Sequence, residues 1–322
     1  MPKYTSVTQI PGIYVGHATN SEAGTGCTVI VCPEGATGGV DVRGGAPATR
    51  ETDLLRPEEM VQMVNAVVLS GGSAFGLAAS TGVAEELERR GIGLDVMVTK
   101  VPIVTGACLF DLACGDAFVR PDPSMGAKAV EDALDHADGQ LACGNVGAGT
   151  GCTVGKVLGP DRAMKSGLGE CVREAGELVC GAISAVNAVG NIVDPQTGAF
   201  LAGLLDETGE NVISVEDAYM QALAAMPLRS NTTISCVVTN AKLSKAQATK
   251  VAQMSADAYA HAIRPTHTTN DGDTIFVLAT GQVEAETDLV GMLATSALES
   301  AIARAATSAT SAYGYRAACD LN

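Results

Sequence analysis

Short apolar runs bounded by turn residues form the first regular pattern along the chain. Residues 27–32 (CTVIVC) and 64–69 (VNAVVL) are runs of this kind, and they predict buried strands. The second run is followed by Ser70-Gly71-Gly72-Ser73, which interrupts it, and then by 74–90, a predicted helix with apolar positions at helical spacing and charges near its end. The pattern therefore predicts a strand, a glycine turn and a helix in succession.

The rest of the chain alternates helical and extended patterns. Ser244 and Gln247 have the S-x-x-Q spacing of a capping box, and Pro265 ends the helix that this box opens. Ser214 is the predicted N-cap of another helix. The predicted helices cover 125–137, 214–226, 244–263 and 287–308, and the predicted strands or extended segments cover 171–183 with an apolar part at 179–186, 232–239 and 274–279.

No internal repeat, low-complexity tract or change of composition marks a linker in the sequence. One α/β domain over residues 1–322 is therefore the simplest organisation, with sheets inside and helices outside. Its composition, 47% hydrophobic and 17% charged, allows a large core, and its 37 glycines predict close packing and tight turns.

The formal net charge of −16 disfavours partners that require basic surfaces. Nucleic acids and anionic membrane surfaces both bind clustered lysine and arginine. We therefore expect neither partner, and the acidic balance is more compatible with cationic or amine-bearing ligands.

The ten cysteines form no C-x-x-C pair, and most lie among apolar residues or glycines. They predict buried free thiols in a reducing compartment and no zinc site. The first twenty residues lack a secretory pattern, and no apolar run looks long enough to span a bilayer. We therefore expect a cytoplasmic protein.

The glycine-rich segment 144–156 (GNVGAGTGCTVGK) invites a comparison with phosphate-binding loops. In the P-loop pattern Thr150 would occupy the first glycine position and Val157 the hydroxyl position, so the pattern fails. The dinucleotide pattern G-x-G-x-x-G also fails, because Cys152 occupies its last glycine position. The segment is therefore either a tight structural loop or a loop that presents Lys156 to a site, and no cofactor is expected.

A dense polar cluster, HTTNDGD, covers residues 267–273 directly before the strand predicted at 274–279. Taken alone it is typical of a solvated turn, and it lacks the spacing of a calcium-binding EF-hand loop. The alternative is that its two carboxylates, Asp271 and Asp273, enter a common site.

Five stretches together resemble the self-processing L-aminopeptidase/D-esterase (β-peptidyl aminopeptidase) family, which includes the nylon-oligomer (6-aminohexanoate oligomer) hydrolases. Each stretch is weak alone, but together they run from the first fifth of the chain to its last third. They are residues 41–51 (DVRGGAPATRE), 69–76 (LSGGSAFG), 101–104 (VPIV), 147–156 (GAGTGCTVGK) and Asn231-Thr232.

The resemblance implies a four-layer α/β/β/α sandwich similar to N-terminal-nucleophile hydrolases. It also implies a precursor that cuts itself before a serine or threonine at the start of a strand, here between Asn231 and Thr232. The products would be an α chain, 1–231, and a β chain, 232–322, that stay associated and assemble into a homo-oligomer, expected to be a tetramer.

The family's site residues carry over one by one. Thr232 matches the nucleophile, Asp271 and Asp273 match its two β-chain partners, and Lys156 and Asn187 match α-chain residues that line the site. Asn191 lies close to Asn187 in sequence and leaves that match open. The aminopeptidase branch has a Gly-Ser bond and a Ser/Glu pair, so the Asn-Thr bond and the Asp pair resemble the nylon-oligomer branch instead.

The chemistry of these residues is consistent with amide hydrolysis. A threonine hydroxyl needs a base, which Asp271 could supply before cleavage and the new Thr232 amine, with an unperturbed pKa of about 7.7–8.0, after it. Asp273 would hold Asp271 or the amine. Asn187 could donate to the oxyanion, a contact typically worth roughly 3–4 kcal/mol, and Lys156 could position Asn187 or offset the carboxylate charge.

Other functions remain open at this level. An aminopeptidase is the first alternative to an oligoamide-cleaving amidase. Acyl transfer, as in the ornithine acetyltransferases, is disfavoured because their motif around the cut is absent. An uncleaved binding or scaffold protein would keep the fold alone. The scarcity of aromatic residues suggests a pocket for extended aliphatic amides.

Overall fold

A nine-stranded mixed sheet organises the protein in this computed structural model, which describes residues 3–136, 139–222 and 231–321. Its strand order is β10-β11-β16-β18-β2-β4-β7-β3, with β1 also paired to β2. The β16–β18 and β4–β7 pairs are parallel and the others are antiparallel. The strands are β1 Tyr14–Asn20, β2 Thr25–Val42, β3 Thr49–Arg50, β4 Met63–Ser70, β5 Leu94–Asp95, β6 Lys100–Val101, β7 Val104–Cys108, β8 Thr153–Val154, β9 Met164–Lys165, β10 Leu168–Ala175, β11 Leu178–Asn187, β12 Asn191–Val193, β13 Phe200–Ala202, β14 Leu204–Leu205, β15 Val212–Ile213, β16 Thr232–Ala241, β17 Ile263–Arg264 and β18 Thr274–Val283.

Helices cover the sheet on its outer faces, except for one short helix, Val215–Ala222, which packs with Val157 and Leu204 instead. The helices are α1 Ala79–Arg89, α2 Pro123–Asp135, α3 Val215–Ala222, α4 Lys245–Ser255, α5 Asp257–Ala262 and α6 Thr287–Thr307.

The long strand β2 joins the two halves of the sheet. Residues 27–31 and 36–37 of β2 pair with β4, and residues 37–42 pair with β18. The pairing with β4 shifts register between Val31 and Ala36, and Gly35 there has φ +81°. Such an irregularity bends a strand and increases its twist, so β2 turns the sheet from one half toward the other.

Three hydrophobic clusters show how the layers stack. One cluster lies between the inner faces of the two halves and includes Ile30 and Leu69 from one half and Ile183 and Ile234 from the other. A second packs α4, α5 and α6 on β10, β11, β16 and β18, and a third packs α1 and α2 on β1, β2 and β4. The order is helix, sheet, sheet, helix, so the predicted four-layer α/β/β/α architecture is confirmed.

Several predicted elements are confirmed, the strands with extended bounds and the helices ending one residue earlier. The runs at 27–32 and 64–69 lie in β2 and β4, and those at 232–239 and 274–279 lie in β16 and β18. The helix predicted at 74–90 begins as a 3-10 helix over Ser73–Ala78 and becomes α1 afterwards. The helix predicted at 287–308 is α6.

Other predictions need correction or lie partly outside the described residues. The segment 171–186 is not one extended run but the hairpin of β10 and β11. The capping box is present, but its helix breaks at Ala256 into α4 and α5. The helices predicted at 125–137 and 214–226 are α2 and α3, and residues 137 and 223–226 lie outside the described part.

The expectation that no segment is long and apolar enough to span a bilayer needs one correction. In the part of the chain that the structure describes, α6 passes that test with 21 residues and a mean hydropathy of 1.2. Half of its apolar window is buried inside the protein, and α6 belongs to the core beside β10 and β11. Core helices meet this criterion as readily as membrane spans do.

Adjacent glycines in β2 give a test of this layered packing. A Cβ at Gly39 would lie 2.4 Å from the Ala248 carbonyl carbon and 2.5 Å from the Thr249 nitrogen, both backbone atoms of α4. A Cβ at Gly38 would meet only side-chain ends, at 2.7 Å. We expect Gly39→Ala to lower the free energy of unfolding by about 1–3 kcal/mol, and Gly38→Ala to cost less because side chains can rotate away.

Chemical denaturation of the two variants beside the unsubstituted protein measures this difference. Gly38→Ala is the matched control, since it makes the same change in the same strand. Equal losses of stability would show that α4 does not press against the backbone of β2.

Candidate active site

Thr232 is the first residue of β16 and lies between two neighbouring strands. Asn187, the last residue of β11, is its register partner on one side. On the other side Asn231 forms a parallel bridge with Asp271, which precedes β18. The fold thus brings Asn187, Thr232 and Asp271, separated widely in sequence, to one buried end of the sheet.

The Thr232 hydroxyl points at the peptide bond that precedes it. Its Oγ1 donates to the carbonyl oxygen of Asn231. Gly272 lies beside the same hydroxyl, because a Cβ at this position would come within 2.8 Å of Oγ1. The candidate nucleophile and the bond predicted to be cut are therefore in contact.

Asp271 is a buried carboxyl group held on one oxygen only. Its Oδ2 accepts from the Thr268 hydroxyl at 2.5 Å and from the Thr268 backbone N–H at 3.1 Å. Its Oδ1 is buried and has no hydrogen-bond partner among the described residues. Burial, followed by the neighbouring charge of Asp273, raises the pKa of Asp271 to about 6, so this group can exchange a proton near neutral pH.

Asp273 lies close by but holds different atoms from those expected. Its Oδ1 accepts from the backbone N–H of Thr233 at 2.8 Å. Its Oδ2 faces the Thr266 hydroxyl at 3.2 Å, the His267 N–H at 3.0 Å and the His267 Nδ1 at 2.9 Å. Of the two expected partners, Asp271 or the Thr232 amine, Asp273 affects Asp271 through its charge, and its hydrogen bond goes to the backbone of Thr233.

Lys156 and Asn187 form a linked pair. The Lys156 ammonium donates to the Asn187 carbonyl oxygen at 2.8 Å and to its Oδ1 at 2.9 Å. The Asn187 Oδ1 also accepts from the Thr153 N–H at 3.0 Å, and its Nδ2 donates to the Phe110 carbonyl at 2.8 Å. These contacts fix the orientation of the Asn187 amide.

The environment of Lys156 changes its acidity. Burial lowers the pKa of Lys156 to about 7, and the charge of Asp271 opposes that shift. The cation and the carboxylate thus stabilise each other's charged forms, as unlike charges do at short range in a buried site.

Asn191 serves another part of the fold. Its Nδ2 donates to the Ile213 carbonyl at 2.8 Å, and its Oδ1 accepts from the Leu204 N–H at 2.8 Å. It therefore joins β12 to the β14–β15 pair. Of the two asparagines that the sequence left open, Asn187 is the one beside Thr232.

Gly44 and Gly45, which the sequence singled out only as part of the motif at 41–51, lie against the loop that carries Asp271. Gly45 donates its N–H to the Thr268 carbonyl at 3.2 Å, and the next residue, Ala46, donates to the Asp271 carbonyl at 2.9 Å. A Cβ at Gly44 would lie 2.3 Å from the Asp271 carbonyl oxygen. The motif at 41–51 therefore lies against the Asp271 loop, and its glycines permit that close approach.

A cleft of about 340 Å³ opens beside these residues. Two of its described lining residues, Lys156 and Glu216, carry charged side chains, and much of the remaining wall is apolar. The apolar part of the wall consists of Val157, Val189, Val215, Tyr219, Met220 and Pro265.

The described residues contain no group of three or more His, Cys, Asp or Glu side chains that could hold a metal ion. Most of the cysteines are buried and all are free thiols. The side chains described above bring a hydroxyl, two carboxylates, an amide and an ammonium group to this site.

Sequence reasoning missed several groups that this site uses. Thr268 holds Asp271, Thr153 holds Asn187, and His267 holds Asp273. His267 and Thr268 lie in the polar cluster 267–273, which the sequence did single out. Nothing in the sequence, however, indicated which residue each would contact.

Comparison with known proteins identifies relatives of this chain. The model of Peptidase family S58 matches residues 5–319. An uncharacterized aminopeptidase of Mycobacterium leprae is 44% identical over 296 residues, which cover 87% of this chain and 80% of the relative. A 6-aminohexanoate-oligomer endohydrolase of Kocuria sp. is 32% identical over 281 residues, which cover 86% of this chain and 75% of the relative.

A solved structure supports the fold. The L-aminopeptidase D-Ala-esterase/amidase from Ochrobactrum anthropi, described as a variant of the Ntn-hydrolase fold, matches with a TM-score of 0.71. The match covers 96% of this chain and 88% of that one at 18% identity, and so it speaks for the fold alone. With the family match over nearly the whole chain, the chain belongs to peptidase family S58 and is an amide-bond hydrolase.

Proposed function

We propose that this chain is a self-processing amidase whose nucleophile is the N-terminal threonine of its own β chain. The observation that carries the proposal is the contact between the Thr232 hydroxyl and the Asn231 carbonyl, next to Asp271. A nucleophile, its target bond and a carboxyl group with a pKa of about 6 are thereby assembled in one buried place.

Self-cleavage would follow from these positions. Asp271 accepts the Thr232 hydroxyl proton while Oγ1 attacks the Asn231 carbonyl carbon, and the C–N bond then breaks as the proton passes to the leaving nitrogen. The resulting ester joins Asn231 to the Thr232 Oγ1. Water hydrolyses this ester and releases chains 1–231 and 232–322, which leaves a free amine on Thr232.

Substrate hydrolysis would use the same hydroxyl. The Thr232 amine, with Asp271, removes the hydroxyl proton, and Oγ1 attacks the substrate carbonyl carbon. The substrate C–N bond then breaks as that proton passes to the leaving amine, and water hydrolyses the resulting acyl-enzyme to release the acid and free Oγ1. We assign the oxyanion contact to the Asn187 amide, because Asn187 is the register partner of Thr232 and Lys156 holds its side chain in place.

The two products are expected to stay together. Strand β16, which would begin the β chain, pairs with β11 on one side and with β18 on the other. Its separation from the α chain would break the middle of the sheet. We extend the proposal to a homo-oligomer of such units, the assembly that the family resemblance implies.

The cleft favours an amide substrate with an extended aliphatic chain. Its wall is largely apolar, and Glu216 offers a carboxylate to an amine on such a substrate. Linear oligoamides such as 6-aminohexanoate oligomers, the substrates named for the Kocuria relative, have both features. An aminopeptidase is the second candidate, favoured by the 44% identity with the M. leprae relative. An uncleaved scaffold is the third.

Replacement of the nucleophile tests self-processing. We expect Thr232→Ala to leave one chain of 322 residues, because no hydroxyl can attack the Asn231 carbonyl. Thr232→Ser, which keeps the hydroxyl, should still cut, and intact-mass measurement distinguishes one chain from two. Cleavage of Thr232→Ala at the same bond would contradict the proposal, and an uncut unsubstituted protein would support the scaffold.

Replacement of the two carboxylates separates their roles. We expect Asp271→Asn to slow both self-cleavage and amide hydrolysis by about 100-fold or more, since both start with the same proton removal. Asp273→Asn should have a smaller effect, because Asp273 holds the backbone of Thr233 instead of the proton. The loss should appear in kcat more than in KM.

Kinetics of both variants on processed protein, together with gel-based cleavage rates, measure these effects. Near-normal turnover by Asp271→Asn would return residues 267–273 to the role of a structural turn.

The pH dependence of self-cleavage reports on Asp271. This group must lose its proton before it can act as a base, so the rate should rise as pH increases through about 6. Because the charge of Asp273 raises the pKa of Asp271, Asp273→Asn should move the rise to lower pH. Cell-free synthesised precursor, transferred to a series of buffers and sampled over time, provides the measurement, with Thr232→Ala as the blank. A rise that stays at the same pH in Asp273→Asn would argue against Asp271 as the base.

A further inference from the structure

The residue that follows the nucleophile, Thr233, is held at both of its backbone polar groups. The N–H of Thr233 donates to Asp273 at 2.8 Å, and the carbonyl oxygen of Thr233 accepts from the Tyr259 hydroxyl at 3.1 Å. Tyr259 is buried under the sheet, and its hydroxyl also lies 2.7 Å from the Ser235 hydroxyl. Two side chains from outside β16 thus fix the residue next to Thr232.

His267 joins these two side chains to each other. Its Nδ1 lies 2.9 Å from the second oxygen of Asp273, and its ring stacks on Tyr259 with 5.4 Å between centroids and 17° between planes. The backbone of His267 has φ +55°, a conformation that non-glycine residues seldom adopt. The turn thus has an unusual shape in which the His267 ring contacts both the Asp273 carboxylate and the Tyr259 ring.

We propose that His267 and Tyr259 are positioning residues for the reaction. Thr233, Asp273, His267 and Tyr259 form a closed ring of contacts, here named the Thr233 clamp, that aims the Thr232 hydroxyl. Neither side chain has a part in the bond-making steps described above. The proposal rests on the proposed function, since it assigns the clamp to a nucleophile at Thr232.

The clamp matters most after the chain is cut. In the precursor, Thr232 is held from both sides, because Asn231 before it is bridged to Asp271. After the cut Thr232 is a chain end, and Thr233 becomes the nearest residue held through both backbone groups. Displacement of a reacting group by about 1 Å can cost about 100-fold in rate, so loosening Thr233 should slow turnover.

The two ring nitrogens of His267 allow a selective test. Nδ1 faces Asp273, whereas Nε2 is buried without a hydrogen-bond partner among the described residues. The Asn side chain can place an N–H near the position of Nδ1, and asparagine tolerates positive φ better than most residues. His267→Asn therefore keeps the side-chain hydrogen bond to Asp273, while His267→Phe keeps the stacked ring and removes the side-chain hydrogen bond, leaving only that of the backbone N–H.

Steady-state kinetics of processed protein on an amide substrate, with melting temperatures, form the experiment. We expect His267→Phe to lower kcat by about tenfold or more with KM within about twofold, and its self-cleavage to slow less. His267→Asn should keep kcat within about threefold, since it restores the hydrogen bond. Tyr259→Phe, which keeps the ring but removes the hydroxyl, should also lower kcat.

The control is His261→Phe. His261 is an exposed histidine of α5 whose ring pairs with Glu299 at the surface, and it should leave kcat unchanged. Hydrogen–deuterium exchange at Thr233 gives a readout that does not depend on activity. Loss of the clamp should speed exchange of this amide by about tenfold in His267→Phe, because its hydrogen bond to Asp273 opens more often.

The outcomes separate the clamp from the proposed function. If the unsubstituted protein is active and Thr232→Ala is not, the nucleophile stands; normal kcat in His267→Phe, or equal loss in His267→Asn, then overturns the clamp alone. Should His267→Phe fail to fold, the kcat of Tyr259→Phe and the Thr233 exchange rate in that variant decide the question. An active Thr232→Ala overturns both proposals.

Discussion

The structure depends on a buried strand that begins inside the sheet. Strand β16 pairs with β11 from Thr232 onward and with β18 from Ile234 onward, so the strand begins inside the sheet. A strand start at a sheet edge would be free to fray, since terminal residues without partners are poorly ordered. Here the sheet itself positions the hydroxyl, and the surrounding side chains refine its direction.

Backbone groups provide much of the support around this strand start. The segment after β2 donates N–H groups to the loop that carries Asp271, and the glycine-rich loop donates the Thr153 N–H to Asn187. Glycine is needed where these backbones approach each other, because a Cβ at Gly44 would lie 2.3 Å from the Asp271 carbonyl oxygen. The abundance of glycine thus has a local reason at the site as well as a general one in the packing.

The electrostatics of the site arise from burial combined with pairing. Burial alone would favour a protonated Asp271 and a neutral Lys156, and each group opposes that tendency in the other. The pKa of Asp271 is thereby held near 6 and that of Lys156 near 7, where small changes of environment alter protonation. A site with one of these groups removed would have a different charge at neutral pH, so the pair acts as a unit.

The sequence by itself determined the strands at 27–32, 64–69, 232–239 and 274–279 and the capping box at Ser244, because hydrophobic periodicity and cap chemistry are local. Family resemblance supplied the residues Thr232, Asp271, Asp273, Lys156 and Asn187. Only the tertiary structure decided that Asn187 and not Asn191 faces Thr232, that Asp273 holds Thr233, and that His267 joins Asp273 to Tyr259. The reason is physical: a hydrogen bond between residues far apart in sequence depends on strand pairing and register, and no local pattern of side chains specifies those.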